Sequence, residues 1–182
     1  MNIETLYLIG EFGVNGSGEA DSFSKPVITK LPERLSIGDI VKQGLPFYSG
    51  VVSYRIDSLP KVQGQRHREI DIPNFEAACI RLRPSHVGED LQSPTPHVGG
   101  DLQSPPLIAF IPYSTDISDV EGGLWLDVVL TRRNTFGPLH FRPARNWAYY
   151  PDLFVATPEE GYTDAYVLLP MGLLERPVVK TY

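Results

Sequence analysis

Residues 124–131 alternate without a break: Leu124, Leu126, Val128 and Leu130 fall on one side, and Trp125, Asp127, Val129 and Thr131 on the other. A period of two sends successive side chains to opposite faces of an extended chain, so this stretch predicts a strand with one apolar face. The same period recurs at residues 50–56, where Val52, Tyr54 and Ile56 oppose Val51, Ser53 and Arg55. It returns at residues 67–72 and again at residues 77–82, with Ala78, Ile80 and Leu82 on one face. Residues 107–111 form a further apolar run.

Residues 6–14 carry bulky groups on both alternating faces, Leu6, Leu8 and Phe12 against Tyr7 and Ile9. That pattern predicts an inner strand covered on both sides. Residues 15–25 read as loop by composition, residues 27–31 as a short strand, and residues 35–42 as one helical turn at most. Residues 162–169 predict a late strand that closes the domain and is ended by Pro170-Met171-Gly172, because proline cannot donate to a ladder.

No stretch supplies three clean turns of amphipathic helix. Gly (16) and Pro (17) together make up about 18% of the chain against a usual level of roughly 12%, which favours many short elements joined by turns. The fold class this implies is all-β, a β-sandwich or jelly roll. A chain of 182 residues buries roughly 70% of its unfolded surface, enough for one core, so a single domain over residues 1–182 is the economical expectation.

The formal charge of −6 leaves no basic footprint for a phosphate backbone, so nucleic acid is not an expected partner. The longest apolar stretch, residues 165–174, is broken by Pro170 and Gly172 and is about half the length of a membrane span, so no membrane partner is expected. Residues 1–4 lack a basic region followed by an apolar run, so no signal peptide is read there. Cys79 is the one thiol in the chain and reads as a small buried apolar residue.

Catalytic motifs do not assemble. Gly16-Ser17-Gly18 lacks the pattern of a serine-hydrolase elbow, and no phosphate loop, dinucleotide fingerprint, zinc-protease motif or EF-hand spacing occurs. Glycosidic hydrolysis generally needs two carboxyl groups about 5 to 10 Å apart. Glu11, Asp39, Asp57, Asp71, Asp116, Asp127 and Asp164 supply acids, but strand spacing selects no pair, and Asp116 and Asp119 read as turn caps. No catalytic residue, metal site or cofactor is therefore expected of this chain by itself.

Residues 86–96, HVGEDLQSPTP, are followed at once by HVGGDLQSPPL at residues 97–107, a tandem duplication of an 11-residue unit. Two units do not make a solenoid. His86 and Asp90 with His97 and Asp101 could form a metal site, but glycine and proline preclude the helix that would align positions four apart. A lengthened surface loop is the simpler reading, since closure entropy grows slowly with loop length.

Sugar recognition asks for aromatic faces to stack on pyranose C–H groups and planar polar groups to bond the hydroxyls. Residues 132–150 are richest in both: Trp147, Tyr149 and Tyr150 stand beside Arg133, Asn134, His140, Arg142 and Arg145. The competing reading has these aromatics covering the end of the core and the polar groups bracing a long loop. Residues 43–50 form a second candidate, in which Gly44, Pro46 and Gly50 shape a turn that presents Phe47 and Tyr48.

Five segments, LYLIGEFGV at residues 6–14, QGLPFYSGVVSY at 43–54, IPYSTDI at 111–117, RNTFGPLH at 133–140 and LLPMGLL at 168–174, run in an order that carries a family likeness. The chain resembles, over nearly its whole length, the C-terminal galactose-binding-like domain of large bacterial glycoside hydrolases, including proteins similar to α-L-rhamnosidases. The resemblance implies a jelly-roll β-sandwich appended to a separate catalytic module, and it makes Tyr48, Tyr54, Asn134 and His140 matches to recurrent positions. The duplicated stretch departs from that pattern, as does the lack of a catalytic module in this chain.

The function expected from these readings is a non-catalytic, carbohydrate-binding ancillary domain of a glycoside hydrolase, with a polysaccharide or oligosaccharide as partner. The candidate contact residues are Trp147, Tyr149, Tyr150, Arg133, Asn134, His140 and Tyr48. The alternative is a purely structural β-sandwich module that packs against its parent's catalytic domain and binds no ligand of its own.

Overall fold

A computed structural model describes residues 6–60, 67–85, 107–108, 111–143 and 161–182. Among these residues the fold is predominantly β, built of several antiparallel sheets with almost no helix. Most of the duplicated stretch, including His86, Asp90, His97 and Asp101, lies outside the described residues, as do Arg145, Trp147, Tyr149 and Tyr150. The chain gathers into two compact units, Met1–Tyr48 with Arg132–Pro170 and Ser49–Thr131 with Met171–Tyr182.

In the second unit, β3 (Val51–Ile56), β6 (Cys79–Ser85), β7 (Leu107–Ile108) and β9 (Gly123–Val129) form a four-stranded sheet in the order β3-β9-β6-β7. β9 is paired along both edges, and the registers place its apolar series between matching residues. Val52, Val128 and Ile80 make one cross-strand row, and Tyr54, Leu126 and Leu82 the next, all of them buried. The alternation read in these three segments is therefore the sheet's own inside and outside. Ala78 precedes β6 and is exposed, and Cys79 is half-buried on the outward face and not a core residue.

A three-stranded sheet in the same unit has the order β11-β4-β8, with β4 (Arg68–Asp71) between β8 (Ser114–Asp116) and β11 (Val178–Thr181). Alternation along β4 buries Ile70 and also turns Arg68 inward. The buried guanidinium is satisfied by backbone: Nη1 donates to the carbonyl of Pro60 (3.2 Å), and Nη2 to those of Ser118 (2.9 Å) and Val120 (2.6 Å). Such charge-assisted bonds offset the cost of burying the charge and tie two loops to β4. The short pair of β5 (Phe75–Glu76) with β10 (Gly172–Leu173) completes the unit's sheets among the described residues.

The first unit contains the hairpin of β1 (Gly13–Ser17) and β2 (Ser24–Thr29), closed through a 3-10 turn at Ala20–Ser22. Strand thus reaches further into residues 15–25 than their composition indicates. A second 3-10 turn, Ile40–Gln43, meets the expectation of a single helical turn; the Asp39 carboxylate accepts from Val41 N at its start. Among the described residues of the first unit, Phe23, Ile40, Val41, Val167 and Leu168 are buried.

Two expected strands are not formed. Residues 6–12 are outside any ladder, and Leu6, Tyr7, Leu8 and Ile9 are exposed. The β1–β2 pairing starts at Gly13 opposite Thr29, and a continuation would bring Pro32, which has no N–H to give, against this stretch. Residues 162–169 contribute single bridges, Tyr162 to Phe141 and Tyr166 to Phe23, in place of a closing strand. Strand pairing comes at and beyond the expected stop, since Gly172 and Leu173 form β10 and the chain then adds β11.

The two environments predict opposite mutational responses. Leu126→Ala, at a side chain with 0% exposure, lowers the unfolding free energy by about 3 kcal/mol in urea denaturation. Ile9→Ala, at 92% exposure, changes it by less than about 0.5 kcal/mol. Equal losses at both positions would contradict the placement of residues 6–12.

Candidate functional site

The residues singled out at 132–140 and at 48 have well-defined surroundings in the first unit. Asn134 sits in α1 (Arg133–Phe136), a single turn, with 0% exposure. Its amide forms a two-way clasp with one residue: Nδ2 donates to the Leu169 carbonyl at 2.7 Å, and Leu169 N donates to Oδ1 at 2.9 Å. A backbone stretch without a strand partner thereby gains the bonds a ladder would have given it. Both polar atoms of the Asn134 amide are thus engaged with the backbone of Leu169, inside the fold.

Arg133 is buried as well, with Nη1 3.4 Å from the Val167 carbonyl. Thr135 Oγ1 donates to the Phe47 carbonyl at 2.8 Å, which ties α1 to the turn at residues 43–48. His140 is half-buried, its Nδ1 facing the carbonyls of Thr163 (3.1 Å) and Ala165 (3.2 Å). Carbonyls only accept, so Nδ1 carries the hydrogen. The imidazole lies near the rings of Tyr162 and Tyr166, with centroids 6.0 and 5.0 Å away. Tyr48 is 41% exposed. Tyr54, the other recurrent position, belongs to the second unit; its hydroxyl faces the backbone of Leu173 without a well-aligned hydrogen bond, and burial raises the phenol's pKa.

Several of the acids weighed for catalysis have local partners. Asp71 pairs with Lys180 at 2.9 Å, and Asp57 lies 3.0 Å from Arg55 Nε. Asp116 accepts from Ser118 N at 2.8 Å and from Ser118 Oγ at 2.5 Å, the turn cap its sequence setting predicts. The Ser118 bonds hold its carboxyl below the ordinary value, with a smaller contribution from His67. Ser118, His67 and Asp116 meet, but not as a nucleophile relay. Ser118 Oγ (3.4 Å) and Asp116 Oδ2 (3.3 Å) both approach the same His67 nitrogen, Nδ1, whereas a relay uses the two ring nitrogens for different partners. Among the described residues no group of three or more His, Cys, Asp or Glu could hold a metal ion, and no helix is long and apolar enough to cross a membrane.

Among the described residues, guanidinium, indole and carboxylate groups gather on the outward face of the β3-β9-β6 sheet. Register places Arg55, Trp125 and Arg83 in one cross-strand row, and Ser53, Asp127 and Arg81 in the next. The guanidinium carbons of Arg55 and Arg83 lie 5.7 and 5.8 Å from the Trp125 ring centroid, within cation–π range. Arg83 grips Asp127 in a fork, Nε to Oδ2 at 2.7 Å and Nη2 to Oδ1 at 3.2 Å, and Ser53 Oγ donates to Oδ1 at 2.7 Å. Arg81 Nη2 stands 3.8 Å from the same carboxylate.

Burial alone would push the Asp127 carboxyl upward. The hydrogen bonds from Arg83 and Ser53 and the charges of Arg83 and Arg81 outweigh it, so the group is held below its ordinary value. Asp127 is thus an ionised anchor that fixes the Arg83 fork. In the sequence, Ser53, Arg55, Trp125 and Asp127 are outer members of alternating strands, Asp127 is also one of several acids from which no pair stands out, and Arg83 falls just beyond the strand read at residues 77–82. The signal was the concentration of Arg, Trp and Asp at those outer positions, but only register makes neighbours of them.

A shallow pocket of about 210 Å³ in the first unit, at the β1–β2 hairpin, is smaller than the roughly 300 to 1,000 Å³ usual for ligand sites. Lys42, on its wall, is paired with Glu19 at 3.0 Å. The sheet face around Trp125 is the stronger candidate, because rigid neighbouring strands hold its planar groups in fixed register. Compared with protein families, curated proteins and solved structures, the chain finds no match in any of the three.

Removing the Asn134 clasp leaves the half-buried N–H and C=O of Leu169 without these partners, so Asn134→Ala lowers stability by about 2 kcal/mol in urea denaturation. Asp127→Asn costs about 2 kcal/mol at pH 7 through the lost Arg83 fork. The folded carboxyl titrates below the unfolded value of about 3.9, so the folded chain binds fewer protons in that window. Asp127's contribution is complete above about pH 4 and disappears as pH falls through the folded value. The gap between wild type and Asp127→Asn therefore narrows as pH falls below about 4; a gap that does not change with pH would contradict the ion pair.

Proposed function

We propose that this chain is a non-catalytic, carbohydrate-binding ancillary module of a glycoside-hydrolase-type protein, with a jelly-roll, galactose-binding-like architecture. The observation that carries the reading is the outward face of β3, β9 and β6, where Trp125 lies between Arg55 and Arg83, next to the Ser53–Asp127–Arg81 row. An aromatic ring among fork-shaped donors and an ionised carboxylate is the chemistry a sugar's C–H faces and hydroxyls select. The five family-like segments support the same assignment, and the antiparallel sheets are compatible with a jelly roll.

In this reading the contact role moves toward Trp125 and its neighbours. Arg133 and Asn134 are buried in support of the chain, and Trp147, Tyr149 and Tyr150 stay as the competing platform from sequence. A second reading, a structural module docked on its parent's catalytic domain, draws on the exposed apolar side chains Leu6, Leu8 and Ile9.

Calorimetry against a panel of neutral and acidic polysaccharides separates these readings. The proposal expects measurable binding by the wild-type chain, loss of at least tenfold in Trp125→Ala, which removes the stacking surface, and little change in Trp147→Ala. Circular dichroism of Trp125→Ala should match wild type, since the indole is on the outward face. Binding lost in Trp147→Ala but kept in Trp125→Ala would move the site to residues 144–150. No binding to any polysaccharide would overturn the carbohydrate reading in favour of the structural one.

A further inference from the structure

The charge on the Trp125 face is opposite to that of the chain as a whole. The protein carries −6, yet this face gathers Arg55, Arg81 and Arg83 against Asp127 and Asp57. The three guanidiniums are held differently. Arg83 is oriented by its fork on Asp127, and Arg55 Nε faces Asp57 at 3.0 Å without hydrogen-bond alignment. Arg81 has a side chain 45% exposed, and its Nη2 stops 3.8 Å short of the carboxylate.

Asp127 explains the difference. Its Oδ1 accepts from Ser53 and from Arg83 Nη2, and its Oδ2 from Arg83 Nε, while the side chain is 5% exposed. The carboxylate is therefore already well bonded and screened by the strands around it. Arg81 lies in its field but beyond hydrogen-bond distance, so the donors on its exposed end can turn to a second oxyanion from solution. The indole between Arg55 and Arg83 has guanidiniums near its ring, which turns the platform from one suited to a neutral sugar toward one that carries positive charge to the ligand.

Resting on the carbohydrate reading above, we infer that the ligand of this face is an acidic glycan, a polysaccharide bearing uronate carboxylates, with Arg81 as the primary carboxylate contact and Arg55 as the second. Arg55 and Arg81 stand on the two strands that flank β9, two residues out of register, which places their Cα atoms roughly 12 Å apart from strand spacing and rise. Two points of charge at that separation fit an extended oligosaccharide lying across the strands. A planar guanidinium matches a carboxylate through two parallel N–H bonds, which a lysine in the same place would not reproduce.

The test is calorimetric titration of the full chain with de-esterified oligogalacturonate and with its carboxyl-reduced, neutral counterpart, at low and at physiological salt. The acidic ligand should bind at least tenfold more tightly than the neutral one and weaken as salt rises. Arg81→Gln should remove most of that preference, and Arg55→Gln part of it, with unfolding midpoints unchanged. Should Arg81→Gln unfold the chain, Arg81→Lys, which keeps the charge and loses the fork, takes its place and should show at least a several-fold loss. Equal binding of the acidic and neutral ligands would overturn this inference and leave the carbohydrate reading standing. Acid-selective binding unchanged in both variants would move the selectivity away from this face and overturn it as well. Binding of neither ligand, with binding of some other neutral polysaccharide, overturns the inference alone, whereas binding of no glycan at all overturns both.

Discussion

β9 is hydrogen-bonded along both edges, and most of what is distinctive in the second unit depends on that. With both edges occupied, its side chains have two destinations. Leu124, Leu126 and Val128 enter the core, and Trp125 and Asp127 are presented with the outward residues of β3 and β6 on either side. A one-residue slip would exchange the two sets, placing a carboxylate and an indole in the core. The apolar rows therefore fix the register, and the register assembles the polar face. Stability and candidate function here share one constraint.

Much of the remaining chain is held by side chains bonded to backbone. Asn134 clasps Leu169, Arg68 gathers the carbonyls of Pro60, Ser118 and Val120, His140 faces those of Thr163 and Ala165, and Asp39 caps the turn at Ile40–Gln43. Each gives a peptide group away from any ladder a hydrogen-bond partner that regular pairing would otherwise supply. A chain with many short elements has many such groups. Polar residues that look functional in a sequence can thus be occupied within the fold, as Arg133 and Asn134 are.

The sheet of β3, β6 and β9 was legible because each strand has one buried face, which writes itself as a period of two. Residues 6–9 show the limit of that signal: Leu6, Tyr7, Leu8 and Ile9 look like a doubly covered strand, but the hairpin pairing begins only at Gly13. β8 and β11 were missed since they are short edge strands whose exposed positions carry no alternation, and their pairing with β4 joins residues more than 40 positions apart. The candidate site was missed for a related reason. Ser53 and Asp127 are 74 residues apart and Arg83 and Asp127 are 44 apart, so no local motif announces them.

Whether the Trp125 face is a glycan platform can be read most directly by NMR titration of the labelled chain with oligosaccharide. The two indole N–H signals would be assigned through Trp147→Phe, which leaves Trp125 as the one tryptophan. The account predicts that the Trp125 indole and the amides of Ser53, Arg55, Arg81 and Arg83 shift together and saturate with one affinity. Shifts confined to the Trp147 indole and residues 144–150, with β3, β6 and β9 unchanged, would contradict it.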